Sequence, residues 1–184
     1  MKTICGIDYS IGCPALCINS GEEFSLSTCS FYYLTNKHKF ERHSGQFQGH
    51  IHKVYTTQEE RFDQISEYIV RKIPRNSIVY LEGFSYGSRA GLMFDIAAAT
   101  GILKHKLYKN NIEFITVSPK TIKKFATGSG NSSKLPMYEA FYKETKFNLL
   151  EELNIKTAGN SPQSDIVDSF YITKYGFYDQ TKNS

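Results

Sequence analysis

Apolar positions crowd the opening of the chain in a strand-like pattern. Residues 2–9 of KTICGIDYS read as one strand and residues 14–19 as a second. The turn residues of NSGEE (19–23) then lead into FSLSTCSFYYL (24–34), a third strand, so the opening is expected to be antiparallel. From Asn36 to Thr56 the pattern dissolves into a polar, His- and Gly-containing stretch without a period, expected as a long flexible loop or hairpin. Periodicity returns after Thr57, which makes a capping-box pattern with Glu60. Phe62, Ile65, Ile69 and Ile73 follow at helical spacing until Pro74 stops the run. SIVYLEG (77–83) is a short β-branched strand, 88–109 an Ala-rich helical stretch, and IEFITV (112–117) another strand. Ser118-Pro119 opens a helix with a serine cap and proline at its first position. Beyond TGSGNSSK come further helical segments, the last opening at Ser161-Pro162. An antiparallel start followed by alternating helix and strand predicts an α/β fold: a five-stranded mixed sheet, its first three strands antiparallel, with helices on both faces.

Length and composition narrow the class. At 184 residues the chain fits a single domain, 1–184, whose core needs no staples. No run of 18 apolar residues suggests a membrane span, and Met1-Lys2 leads straight into a strand pattern, so a cytoplasmic location is expected. Cys5, Cys13, Cys17 and Cys29 form no C-x-x-C pair and read as reduced, mostly buried, small hydrophobes. His38, His43, His50 and His52 are irregularly spaced and read as surface histidines. Net charge is +4, but residues 101–150 hold nine Lys against three Glu, +6 within that segment. Such a basic face is either a solvated lysine-rich surface or a footprint for phosphate backbones.

Four acids bear on that choice. Asp8 interrupts an apolar strand, and Glu82 ends another; both fall at strand C-terminal ends, where α/β sheets place ligand chemistry. Asp165 and Asp168, spaced i, i+3 on the last helical segment, share a helix face. If the four converge, two carboxylates about 4 Å apart repel by roughly 4 kcal/mol at an effective dielectric near 20. Divalent cations resolve this. Oxygen ligands without His or Cys suit Mg²⁺ or Mn²⁺, and two such ions about 3.5 to 4 Å apart can clamp the attacking and leaving oxygens of a phosphodiester.

These residues resemble the RuvC family of Holliday junction resolvases, of the ribonuclease H-like superfamily. The resemblance rests on GIDYS (6–10), YLEGF (80–84), VSPKTIKKFATGSGNSSK (117–134) and SDIVDSFYI (164–172), in the family's order. It implies that Asp8, Glu82, Asp165 and Asp168 are catalytic, metal-binding acids served by about two Mg²⁺ or Mn²⁺ ions. It implies DNA contacts at Lys123 and Lys134, with Lys120 and Lys124 added on charge and proximity. The activity implied is paired symmetric nicking of four-way DNA junctions by a homodimer, with no nucleotide cofactor. Three departures stand out. Tyr9-Ser10 replaces the small pair that often follows the first Asp. Ser85 occupies the place of a junction-inserting aromatic, leaving Phe84, Tyr86 and Arg89 as candidate DNA contacts. The 36–56 segment is long for bacterial members and, with IDYS, points to a bacteriophage-type relative acting in a host cytoplasm.

Other readings remain open. A ribonuclease H-like nuclease for RNA–DNA hybrids or other branched DNA would use the same acids, because specificity lies in the surface. A non-catalytic DNA-structure-binding module would need the lysines alone. An ATP-binding protein of the actin and sugar-kinase superfold shares the G-I-D strand, but this chain supplies one lobe where two are needed to enclose a nucleotide.

Overall fold

Alternation along the first strand decides how the layers assemble. In β1 (Thr3–Asp8), Ile4 packs into the core on one face of the sheet, and Cys5 and Ile7 into the core on the other. A strand buried on both faces needs a layer of helices on each. The computed structural model describes residues 2–83 and 90–182. It consists of one mixed sheet between two helical layers.

β1 pairs antiparallel with β2 (Ala15–Asn19), which pairs antiparallel with β3 (Cys29–Thr35). On its other side β1 lies parallel to β5 (Ser77–Glu82), and β5 lies parallel to β6 (Glu113–Val117). The sheet has six strands, not the five expected from the sequence: β4 (Phe47–Ile51) pairs parallel with β3, giving the order β4-β3-β2-β1-β5-β6. The segment 36–56 therefore contains an edge strand. Tertiary contacts hold it there, since Phe47 stacks on Phe31 with ring centroids 4.8 Å apart and the Gln46 amide donates to the carbonyls of Leu26 and Cys29. The third strand also starts later than its pattern suggests. Residues 26–28 form a 3-10 turn that is closed by hydrogen bonds among Ser25, Thr28 and Asn19.

Helices α1 (Gln58–Lys72) and α2 (Ala90–Lys109) cover one face. The Thr57 hydroxyl caps α1 by accepting from the Glu60 amide, but the Glu60 carboxylate reaches back one residue further than expected, to the amide and hydroxyl of Thr56. On the other face α6 (Gln163–Lys182) lies against β1, β2 and β5. Helices α3 (Pro119–Thr127), α4 (Lys134–Thr145) and the short α5 (Leu149–Glu152) pack in the same layer. Ser118 caps α3 through the Thr121 amide, as the Ser-Pro pattern predicts.

Gly6 sets the distance between α6 and β1. A Cβ on Gly6 would lie 2.4 Å from the Thr173 amide nitrogen and 2.7 Å from the Ser169 carbonyl oxygen, so helix backbone rests directly on strand backbone there. The Thr173 hydroxyl, donating to the carbonyls of Ser169 and Cys17, fills the same layer. Two residues further along β1, on the same face as Gly6, is Asp8; on α6, Asp168 immediately precedes Ser169 and Asp165 lies one turn back from it. Close approach at Gly6 thus brings the acids of strand and helix together.

Candidate active site

The parallel register carries Gly6 opposite Tyr80 and Ile7 opposite Leu81, so Asp8 and Glu82 end neighbouring strands on one face of the sheet. Asp165 and Asp168, in the first two turns of α6, approach that edge from above. The four carboxyls sense one another. Burial is the main reason the Asp8 carboxyl is held well above the usual range, with repulsion from Glu82, Asp165 and Asp168 adding to it. Glu82 is pushed up to about 7 by burial and then by Asp168, and Asp168 to about 6 by burial and then by Asp165. Asp165 is also raised by burial, against the pull of Ser161, Lys134 and Cys13 beside it. Asp8, Glu82 and Asp168 keep some access to water, whereas Asp165 is 6% exposed.

Two lysines balance the cluster. The positive charge of Lys134, at the start of α4, favours the ionised form of all four acids, and its Nζ donates to the Ser164 hydroxyl at 2.9 Å. Lys123, on α3, acts in the same sense on Glu82 and Asp168. Lys120 and Lys124 lie on the same helix. Phe84, Tyr86 and Arg89 lie outside the described residues.

Among the described residues, no three His, Cys, Asp or Glu side chains are already drawn together as a metal-binding group. The donor chemistry nevertheless fits a hard cation. Asp165 Oδ2 is buried with no hydrogen-bond partner among the described residues, which costs about 1–3 kcal/mol unless something completes it. The carboxyls that act with it are Asp8, Glu82 and Asp168, hard oxygen donors of the kind Mg²⁺ or Mn²⁺ prefers, with the neutral Cys13 thiol beside them.

The segment after Asp8 has a structural role that sequence reasoning missed. Tyr9 turns to the α1 side of the sheet and is buried there, so its size serves packing. Ser10 faces the other way round the loop, its hydroxyl accepting from the Cys13 amide at 3.0 Å. Cys13 is buried against Asp165, and burial raises its thiol well above the ordinary range, which makes it a neutral neighbour. No spacing signal in the sequence links Cys13 to Asp165, because the contact joins the loop after β1 to α6, about 150 residues further along the chain; Ser161 is four residues before Asp165, beside the Ser-Pro start of the last helical segment.

Fold and site together define an α/β domain, a mixed sheet between two helical layers, with four acids gathered at the C-terminal edge of its central strands. Within that class the chain is similar to RuvC. It is 29% identical, over 111 residues, to the crossover junction endodeoxyribonuclease RuvC of Brachyspira hyodysenteriae; the match takes in 60% of this chain and 61% of the relative. Its fold superimposes on the Thermus thermophilus RuvC structure with a TM-score of 0.61, at 15% identity, covering 98% of this chain and 96% of the other. Against T. thermophilus RuvC in complex with Holliday junction substrate the TM-score is 0.60, at 16% identity, covering 99% and 97%. No family model matches the chain. The resemblance to RuvC read from the motifs therefore holds in sequence and in fold. No described helix is long and apolar enough to cross a membrane.

Proposed function

We propose that the chain is a metal-dependent endodeoxyribonuclease that resolves four-way DNA junctions by paired nicks, acting as a homodimer. The observation that carries this reading is the convergence of Asp8, Glu82, Asp165 and Asp168 on one sheet edge with Lys134 among them. Similarity to RuvC, one of whose solved forms is a complex with Holliday junction substrate, points the same way.

The four acids would hold Mg²⁺ or Mn²⁺, two ions if all four ligate, and metal bound there supplies an activated water and positive charge for the departing 3′ oxygen. The remaining work belongs to the chain. The sheet fixes Asp8 and Glu82, because Ile4, Ile7 and Leu81 anchor their strands in the two cores. The Gly6 contact fixes Asp165 and Asp168 against them. Lys134 and Lys123 offset the negative field that would otherwise repel a phosphate, and they are the lysines best placed to meet the DNA backbone at the cut. A junction presents two equivalent strands related by a two-fold axis, so paired cutting calls for two copies of the site.

Side-by-side digestion tests the substrate assignment. Four-way junction, flap, RNA–DNA hybrid and linear duplex, labelled on each strand and incubated with the full chain and Mg²⁺, should yield paired symmetric nicks in the junction and little product elsewhere. Preferential cleavage of the hybrid or the flap overturns it.

A further inference from the structure

A cavity of about 430 Å³ opens beside the acid cluster, with Asp165 in its wall and the other three acids outside its lining. Its walls come from the loop after β1 (Ser10 to Cys13), the end of β3 and the residues after it (Thr35, Asn36, Lys37), Ile96 of α2, and Ser161. β1 and β3 run parallel because each is antiparallel to β2, so both segments emerge at the same sheet edge as the acids.

The far wall is braced. The ring of His52, just beyond β4, bonds through Nε2 to the Gly12 carbonyl at 2.9 Å, and its acceptor there makes it the donor. The Arg61 guanidinium of α1 donates to the Ile11 carbonyl at 3.0 Å. The Lys37 amide donates to the Thr35 hydroxyl, turning the chain outward at the mouth. The extra strand β4 thus serves a loop that borders the acids.

The lining has a definite chemistry. Ile11 and Ile96 offer an apolar surface. Asn36 is exposed at the mouth and carries both a donor and an acceptor. Lys37, also exposed, makes no ion pair among the described residues. Apolar walls with a few convergent polar groups and one cation suit a sugar and base carrying a phosphate.

We propose that this cavity receives the nucleotide next to the scissile phosphate on the cleaved strand, with Asn36 reading its base edge and Lys37 binding its flanking phosphate. The proposal rests on the nuclease reading above and adds a specificity site to it. Contiguity carries it: Asp165 belongs to both the acid cluster and the cavity wall, so a strand whose phosphate lies at the acids has its next nucleotide at this opening.

The test uses four-way junctions whose two nucleotides on each side of the cut are randomised, digested by the full chain in Mg²⁺ and sequenced at the new ends. The native chain should prefer particular bases at one flanking position. Asn36→Ala should flatten that preference by about fivefold or more, the scale of one lost base-edge pairing. Lys37→Ala should weaken junction binding alike for all sequences and lower the slope of log affinity against log salt by about 0.9. Arg75→Ala, at the opposite sheet edge, should change neither. Unchanged preference in Asn36→Ala together with an unchanged salt slope in Lys37→Ala, while junctions are still cut, overturns the cavity assignment alone. A native chain that cuts no branched DNA overturns the nuclease reading, and the assignment with it.

Discussion

Each acid at the sheet edge is costly to the metal-free fold, and the cost has a pH signature. The Glu82 carboxyl, ordinarily near 4.5, sits at about 7, and that of Asp168, ordinarily near 3.8, at about 6. A carboxyl raised in the folded state favours folding fully below its unfolded value and loses that contribution as pH rises through the folded value. For Glu82 the loss is on the order of 3 kcal/mol across pH 4.5 to 7. Chelator-treated protein should therefore melt at a higher temperature at pH 5 than at pH 8, with Mg²⁺ recovering much of the difference at pH 8; calorimetry at the two pH values measures it. Lys134 has the opposite role. Replacing it with Met removes a cation that favours the ionised form of all four acids. Melting of the metal-free variant should fall most at pH 8 and least at pH 5, where the acids hold their protons. Lys123→Ala and Lys134→Ala should each flatten the salt dependence of junction binding by about 0.9 in the log–log slope, whereas Lys124→Ala should leave it unchanged.

At the scale of elements, the contact of α6 with β1 carries the site. Gly6→Ala places a methyl carbon 2.4 Å from helix backbone, and helix and strand must separate to admit it. The expected effect is a destabilisation of about 1–3 kcal/mol in denaturant melts, with nicking reduced more than junction binding, because the two pairs of acids move apart. Sequence periodicity made α1, α3, β1, β5 and the acid pair of α6 legible, since each carries its own local signal: a cap, an apolar stripe, a β-branched run or an i, i+3 spacing. β4 had none. FQGHI alternates with polar residues and contains Gly49, where a Cβ would lie 2.3 Å from the Tyr33 ring; only the fold reveals that this glycine makes room for an aromatic side chain. Phe24 to Thr28 failed in the opposite sense. Its alternation reads as strand, but Ser25, Thr28 and Asn19 bond to one another and close a turn instead. The four acids were legible because strand ends and helix faces imply direction. The cavity was not, because four loops and helices build it and none announces it alone.

For the whole molecule, two helical layers around a mixed sheet leave one edge where strands end, a helix begins and lysines gather. The same edge holds the braced loop after Asp8, so chemistry and selectivity share one rigid frame. Two-fold junction symmetry predicts a dimer, and light scattering should return a mass near twice the 21.0 kDa of the chain. The central claim is that Asp8 and its three partners cut DNA, and it is tested most directly by separating cutting from binding. Asp8→Asn and Glu82→Gln, assayed on a synthetic four-way junction in Mg²⁺, should lose nicking by at least about a hundredfold while binding the junction as tightly as the native chain or more tightly, a negative charge facing the phosphates having been removed. Nicking at the native rate by either variant would contradict the account.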